Sequence, residues 1–323
     1  MWARLGLGCL LAFFGHAATA QDYPTRTVTM IVPSAPGGTL DALGRLMAQA
    51  MAADLGRSVV VENVSGAGSL VGMQRLVRSE PDGYVIGFGN VGSMAANVAT
   101  TRDLGFDPRT DLTPISIVAN VPMVIAASPR SGLRDLATLV SRIRERGDGV
   151  SFGTPGTGTT GHLAPAYLFT LIGSKAMLVP YRGAGPAMTD LAAGTVDVVI
   201  DQTVTMIPAH LGHTAVALAV TGTRRVAQMP EVPTFAEAGV PGFDMVIWNA
   251  IAGPRDMPPA VAQRLLRSIE VALASAPVAA RFADLATDMP PVAERGPEAM
   301  RRRIAADVDR WIEVVRSSGM AAQ

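Results

Sequence analysis

Short segments rich in β-branched residues alternate along this chain with glycine-rich turns and amphipathic helices. The first such unit has a strand at residues 27–33, a glycine turn at residues 34–39, and then a helix. Apolar residues recur in that helix at helical spacing, as Leu43, Leu46 and Met47 do. Strands alternating with turns and helices are typical of parallel sheets, because each helix carries the chain back across the sheet. The pattern therefore predicts an α/β fold built from open sheets.

The alternation extends over more chain than one hydrophobic core usually organises, since the chain has 323 residues. Further strands are predicted at residues 58–62, 84–89, 122–128, 150–153, 177–181, 196–201, 215–221 and 245–253. The helices that follow have to pack on a sheet already formed, and the simplest arrangement returns the chain to the first lobe. We therefore predict a discontinuous lobe 1, residues 21–122 plus 247–323, and an inserted lobe 2, residues 123–246.

Residues 1–20 have the features of a cleavable secretory signal. Arg4 precedes an apolar stretch at residues 5–14, which is too short to span a bilayer, and small residues lead up to Ala20. We predict a periplasmic protein cut after Ala20, with no membrane insertion. Cys9 is the one cysteine and lies in this leader, so the mature chain has no disulfide. A lipid anchor at Cys9 is the alternative.

Charge and composition limit the partners. The 27 basic residues balance the 27 acidic ones, and no basic run occurs, which argues against nucleic-acid binding. Hydrophobic residues make up 49% of the chain, enough for packed helices and sheets. We expect a monomer that binds a small molecule.

Two glycine turns at helix starts suggest the kind of ligand. Residues 154–160 lie between a strand and a helix, and residues 36–39 are placed similarly in the other lobe. Free backbone N–H groups at a helix start, with threonine hydroxyls, form a neutral cradle for an anion such as a carboxylate. The turn at 154–160 taken alone fits an ordinary helix cap equally well. Its repetition favours two cradles facing one cleft.

The second turn also matches a dinucleotide-binding pattern, through Gly156, Gly158 and Gly161. The acidic residue that should follow about 20 positions later is missing, because the apolar segment at residues 177–180 stands there. An exported protein would also meet little nicotinamide cofactor. The sequence therefore predicts no cofactor.

The sequence does not favour an enzyme: no HExxH pair occurs in it, and its one GxSxG match, residues 149–153, falls on a predicted strand and not on a strand-to-helix elbow. His210 and His213 lack an acidic companion at a suitable spacing and do not predict a metal site. His162 opens a helix, where a supporting role is favoured over that of a general base. Asp41 is expected to hold the first turn. Asp201 ends a strand at the cleft, where it could bind a ligand's hydroxyl or ammonium, or cap the next turn.

Further motifs occur in order from Tyr23 to the carboxyl end. They include Tyr23-Pro24, Val32 to Gly38 with Asp41, Val61-Glu62-Asn63, Gly66-Ala67-Gly68, Pro81-Asp82-Gly83-Tyr84, Gly158 to Leu163, Pro180-Tyr181-Arg182-Gly183, and Trp248 before Gly253-Pro254. With these motifs the chain resembles the substrate-binding receptors of tripartite tricarboxylate transporters, the Bug family of periplasmic proteins.

The resemblance implies a type II periplasmic binding protein fold, with two open-sheet α/β lobes joined by two crossing segments. It also implies a ligand, a small organic carboxylate held in the cleft, and a partner, the membrane subunits of the transporter. Carried over to this chain, the ligand-binding residues are Ser34, Ala35, Gly37, Gly38, Thr39, Thr154, Gly156, Thr157, Gly158, Thr159, Thr160, Arg182, Gly183 and Asp201, with Asp41 and His162 as supports. Pro155 departs from the family pattern and removes one backbone donor. A ligand-sensing receptor for a signalling system is the main alternative, and a secreted hydrolase the other.

Overall fold

The computed structural model describes residues 23–318, with side chains to residue 316, so the predicted signal peptide lies outside the described residues. The strands are β1 (Val28–Val32), β2 (Val59–Asn63), β3 (Val85–Asn90), β4 (Leu112–Ala127), β5 (Ser151–Thr154), β6 (Met177–Pro180), β7 (Val198–Gln202), β8 (Val216–Val220) and β9 (Val246–Pro254). The helices are α1 (Thr39–Leu55), α2 (Leu70–Val77), α3 (Asn97–Thr100), α4 (Leu136–Arg146), α5 (Thr160–Ile172), α6 (Ala184–Ala193), α7 (Thr203–Leu211), α8 (Pro259–Leu273), α9 (Ala276–Asp284) and α10 (Gly296–Ser318).

The strands form a curled, open sheet with two halves that share β4. In the first half the order is β2-β1-β3-β9-β4, where β1, β2 and β3 are parallel and β9 runs antiparallel to β3 and β4. In the second half β6, β5 and β7 are parallel, and β4 pairs antiparallel with β7 and β8. Residues 112–122 of β4 pair with β9, and residues 123–127 pair with β7 and β8. The predicted two-lobed, open-sheet α/β architecture is confirmed, and we name the two halves lobe 1 and lobe 2.

One strand is longer than the sequence suggested. The strand predicted at residues 122–128 starts at Leu112, so it crosses from lobe 1 into lobe 2 without a break. Proline is normally kept out of sheet interiors because it cannot donate a hydrogen bond. Here the pairing with β9 shifts register beside Pro114, and Pro122 lies where that pairing ends. These irregularities let a proline-containing segment remain a strand.

The core of lobe 1 follows the alternation of side chains along β1. Met30 and Val32 are buried with Leu43 and Met47 of α1. Ile31 points to the opposite face and packs in the other cluster, which includes residues of α2 and α10. Alternate residues of a strand face opposite sides of its sheet, so a strand covered by helices on both faces is apolar throughout.

The helices after β9 pack on elements of lobe 1. α8 lies against α1, and α10 lies against β4. Trp248 of β9 is fully buried, and its Nε1 donates a 2.6 Å hydrogen bond to Asp307 Oδ2 of α10. This bond ties a strand that leads out of lobe 2 to the last helix. The numerical lobe boundaries stay a prediction.

Candidate functional site

A cavity lies between the two lobes, beyond the carboxyl ends of β1, β2, β3, β5, β6 and β7. Its volume is about 70 Å³, which admits several water-sized groups. It is lined by Pro33, Ser34, Thr39, Leu40, Gly66, Ala67, Gly68, Ser69, Asn90, Ser93, Pro155, Thr159, Thr160, Tyr181, Arg182, Ala184, Asp201 and Gln202. Clefts at the carboxyl ends of parallel strands are where open α/β sheets usually bind ligands.

Five helices begin at this cavity. Thr39, Thr160 and Ala184 are the first residues of α1, α5 and α6, while Ser69 and Gln202 precede α2 and α7. None of these helix starts has a hydrogen bond from a capping side chain. The first N–H groups of a helix lack partners within it, and its amino terminus carries partial positive charge. The cavity is therefore surrounded by neutral groups that favour an anion.

A network of side chains holds the first glycine turn. Asp41 Oδ2 accepts a 3.0 Å hydrogen bond from Gly37 N, and Asp41 Oδ1 accepts one of 2.9 Å from Arg45 Nε. Asn63 Nδ2 donates to Ser34 O at 3.1 Å. Burial raises the pKa of Asp41, but the bonds from Arg45 and Gly37 N outweigh it and leave the pKa below its ordinary value. This is the contact expected of a residue that supports the turn.

The second turn has its own internal bonds. Thr159 Oγ1 donates to Gly156 O at 2.7 Å, and a 3.0 Å hydrogen bond joins Thr154 Oγ1 and His162 Nδ1. Burial lowers the pKa of His162, which favours the neutral ring. Pro155 packs on Gly161, where an added Cβ would come within 2.6 Å of Pro155 Cδ. His162 thus supports the strand end from which the turn begins.

The two lobes touch around the cavity. Ala35 N donates to Arg182 O across the cleft at 3.3 Å. Gly68 has a φ of 60°, and a Cβ there would lie 1.8 Å from Thr157 O. A Cβ on Gly185 would lie 2.3 Å from Pro36 O. Glycine allows both the left-handed backbone at residue 68 and these approaches of main chain to main chain.

The structure gathers the predicted ligand-binding residues at the cleft in two groups. The residues that line the cavity are Ser34, Thr39, Thr159, Thr160, Arg182 and Asp201. The residues that lie around it are Thr154, at the end of β5, and the turn residues Ala35, Gly37, Gly38, Gly156, Thr157, Gly158 and Gly183. Several of the second group form the contact between the lobes instead of the cavity wall. The side chain of Arg182 is exposed, and its backbone carbonyl makes the contact with lobe 1.

Asp201 is a buried acid in the cavity wall. Its Oδ2 accepts a 2.7 Å hydrogen bond from Thr205 Oγ1 in the first turn of α7. Burial raises the pKa of Asp201 to about 6, against the lowering effects of Thr205, Gln202 N–H and Thr39. Thr39 belongs to lobe 1, and its Oγ1 is buried without a hydrogen bond of standard geometry. Asp201 therefore both faces the cavity and bonds the next helix.

Sequence reasoning missed several residues of the cavity wall. Residues 66–69 follow β2, Asn90 ends β3, and Gln202 ends β7. These residues could have been found from their position at strand ends, because the carboxyl ends of neighbouring parallel strands meet at one edge of the sheet, where ligands bind. Ser93, another residue of the wall, belongs to a π-helical turn, Gly92–Ala96, that follows β3 almost directly.

His210 has an acidic companion that the spacing did not reveal. Its Nε2 lies 2.7 Å from Glu231 Oε1, and its Nδ1 accepts from Ala217 N at 3.2 Å. Within residues 23–318, no three His, Cys, Asp or Glu residues group closely enough to hold a metal ion. None of the helices in that range combines the length and apolar character that crossing a membrane requires.

Comparison with known proteins identifies the family. A family model described as "Tripartite tricarboxylate transporter family receptor" matches residues 43–320. The chain belongs to this family. A relative from Agrobacterium vitis, described as "UPF0065 protein in the TAR-I ttuE-ttuC' intergenic region", is 37% identical over 308 residues, which cover 94% of this chain and 87% of the relative.

Solved structures of the same kind share the fold. The periplasmic binding protein BugD has 32% sequence identity and a TM-score of 0.89, over 93% of this chain and all of BugD. MatC from Rhodopseudomonas palustris, solved with bound malate, has 31% identity and a TM-score of 0.87, over 91% of this chain and all of MatC. The periplasmic binding protein fold and the resemblance to Bug receptors are thus confirmed, and the chain is a receptor of this solute-binding family.

Proposed function

We propose that this receptor captures a small organic carboxylate by lobe closure, without chemical change, and delivers it to a tripartite tricarboxylate-type membrane transporter. The observation that carries the proposal is the meeting of five uncapped helix starts at one cavity. Partial positive charge and unpaired N–H groups favour a negatively charged group with several acceptor oxygens. A carboxylate has that chemistry, since it accepts hydrogen bonds and donates none.

The size and wall of the cavity narrow the ligand further. Its volume of about 70 Å³ suits a small acid, and its wall combines backbone amides with the hydroxyls of Ser34 and Thr160. The malate bound to MatC, a protein with the same fold, supports a hydroxylated or plain di- or tricarboxylate. Aromatic acids and acidic amino acids offer the same group and belong to the candidate set.

Closure follows from the position of the ligand between the lobes. An acid that bonds α1 in lobe 1 and α5 in lobe 2 gains both sets of contacts only when the cleft is closed. Ligand binding then shifts the population toward the closed form by the difference in affinity between the two forms. The contact of Ala35 N with Arg182 O belongs to that closed form. Asp41 and His162 serve to keep the two turns in shape.

The same proposal places the protein in the periplasm as a monomer, after removal of residues 1–20. It assigns residues 21–122 and 247–323 to lobe 1 and residues 123–246 to lobe 2. The crossing segments are then β4 and the approach to β9. A membrane partner would recognise the closed shape and receive the acid when the lobes open.

A thermal-shift screen tests the ligand class. The panel contains malate, succinate, glutarate, citrate and benzoate, with glucose and putrescine as uncharged and cationic controls. A ligand present at 100 times its dissociation constant should stabilise the protein by about 2.7 kcal/mol. We expect shifts only among the acids, followed by titration calorimetry on those that respond. If glucose or putrescine stabilises the protein and no acid does, the proposed function is wrong.

A further inference from the structure

Two buried carboxamides line the cavity from opposite lobes. Asn90 is the last residue of β3 in lobe 1, and Gln202 is the last residue of β7 in lobe 2. Both side chains are largely buried. A carboxamide has one acceptor oxygen and one donor nitrogen, so what it offers a ligand depends on which way it is turned.

Backbone donors fix the direction of Asn90. Its Oδ1 accepts a 3.0 Å hydrogen bond from Gly92 N and a 3.3 Å bond from Ser93 N. Backbone N–H groups can only donate, so the group facing them has to be the oxygen. The amide nitrogen Nδ2 is therefore turned away from the π-helical turn.

A relay through β9 fixes the direction of Gln202. Asn249, which is fully buried, donates from Nδ2 to Ile247 O at 3.2 Å and to Gln202 Oε1 at 2.9 Å. A backbone carbonyl can only accept, so Asn249 has to present its nitrogen on that side. Gln202 must then present its Oε1 to Asn249, and its Nε2 points away from Asn249.

The amide nitrogens of Asn90 and Gln202 have no partner in the part of the chain that the structure describes. Within residues 23–318, no hydrogen bond occupies Asn90 Nδ2 or Gln202 Nε2. The fully buried side-chain atoms left unpaired in that range are Thr39 Oγ1, Asn97 Oδ1 and Asn249 Oδ1. The two nitrogens do not belong to that group, so each keeps some accessible surface, and both residues line the cavity. Each N–H₂ group is therefore available to a molecule in the cleft.

We propose that Asn90 and Gln202 form a pair of neutral amide donors, one from each lobe, that selects a carboxylate over the corresponding amide, with Asn249 as the positioning residue for Gln202. This inference rests on the proposed function and adds to it the groups that discriminate between ligands. A carboxylate offers acceptor oxygens to both donors. A ligand amide would set an N–H₂ group against an N–H₂ group and leave buried donors unpaired, which sites of this kind reject strongly.

Isosteric substitution tests the pair. Gln202→Glu keeps the acceptor that Asn249 needs but replaces the donor by an oxygen. Asn90→Asp likewise keeps the bonds from Gly92 N and Ser93 N. Gln263→Glu makes the same chemical change on an exposed position of α8 and serves as the matched control. Thermal melts of all variants without ligand establish that each is folded.

The readout is the ratio of dissociation constants for an amide and its parent acid. Malate, succinate, glutarate, citrate and benzoate are each compared with their monoamide by calorimetry at pH 8, where an introduced carboxyl is ionised. We expect the wild type to prefer the acid at least tenfold. Gln202→Glu and Asn90→Asp should each lower that preference at least tenfold, because the new oxygen accepts from the ligand's N–H₂ group. The ratio in Gln263→Glu should equal that of the wild type.

The possible results distinguish a failure of the amide pair from a failure of the proposed function. If the wild type binds acids and both cavity variants keep its ratio, the amide pair is wrong and the proposed function stands. If one cavity variant fails to fold, the other decides alone. If the wild type binds no acid in the panel, the proposed function fails, and the amide pair fails with it. Asn249→Asp adds a check on positioning, since it lets Gln202 turn its oxygen to the cavity and should lower the same ratio with Gln202 unchanged.

Discussion

Asp201 is a buried acid in the wall of the cavity, and its titration should be visible in the stability of the unliganded protein. Burial raises its pKa to about 6 from an ordinary value of 3.8. The folded protein therefore holds a proton on Asp201 at pH values where the unfolded chain has lost it. A group with a raised acid pKa contributes stability at low pH, and that contribution is lost as pH rises toward the folded-state pKa. Asn cannot titrate, so Asp201→Asn removes this loss.

The size of the effect follows from the difference between the two pKa values. They differ by about two units, and each unit corresponds to about 1.4 kcal/mol, so the full effect is about 3 kcal/mol. Roughly 2 kcal/mol of it falls between pH 4 and pH 7, because the unfolded-state carboxyl is already partly ionised at pH 4. Relative to the wild type, Asp201→Asn should therefore gain about 2 kcal/mol of unfolding free energy over that interval.

Urea unfolding of both proteins at half-unit steps from pH 4 to pH 7.5 measures this difference. Other titrating groups, including His162, are present in both proteins and cancel in the comparison. Asp41→Asn is the matched control, because its effect on the pH dependence of the unfolding free energy should have the opposite sign. Burial raises the pKa of Asp41, but the bonds from Arg45 and Gly37 N outweigh it, so the stability that Asp41 provides is present at neutral pH and lost on acidification. If the difference in unfolding free energy between the wild type and Asp201→Asn does not change with pH, the assignment of Asp201 as a buried residue of the cavity wall is wrong.

Two further predictions concern closure and the helix that returns to lobe 1. Gly68→Ala should weaken acid binding at least tenfold, because the new Cβ meets Thr157 O of the other lobe. X-ray scattering should also show less compaction on ligand addition than in the wild type. Tight binding with normal compaction would contradict this prediction. Asp307→Ala should lower the unfolding free energy by roughly 2–4 kcal/mol in urea titrations, because it leaves the buried Trp248 Nε1 without its acceptor and removes a bond to Arg303. A loss below about 1 kcal/mol would show that water replaces the carboxylate.

The sequence was informative wherever a local pattern determined the structure. Predicted strands such as that at residues 58–62 lie within one or two residues of those observed, because β-branched runs and glycine turns are local features. The first part of β4 was missed, since Pro114 and Pro122 argue against a strand and only the pairing with β9 accommodates them.

The cavity wall depends on features that no local pattern contains. The glycine turns were predictable as helix starts, but their use as contacts between lobes depends on how the two lobes pack against each other. Asn90 and Gln202 look like ordinary polar residues at strand ends. What Gln202 offers the cavity is fixed by distant partners, since Ile247 and Asn249 lie on β9, which leads out of lobe 2. The direction of Asn90 depends on the π-helical turn that follows it, which no local pattern announced.

The chemistry of the wall bears on release as well as on capture. An anion held by a buried arginine would gain a strong partner, but both charges would have to leave water on closing, and each would be left costly and unpaired on partial opening. Helix amino termini and carboxamides carry no formal charge, so these donors add no such cost when the empty cavity closes and reopens. Asp201 also limits the buried charge, because an anion bound beside it favours the protonated, neutral form of its carboxyl. The cavity then holds the charge of the ligand without a second negative charge from Asp201. Under the proposed function, in which the receptor surrenders its ligand to a membrane partner, such neutral donors favour release more than a salt bridge would.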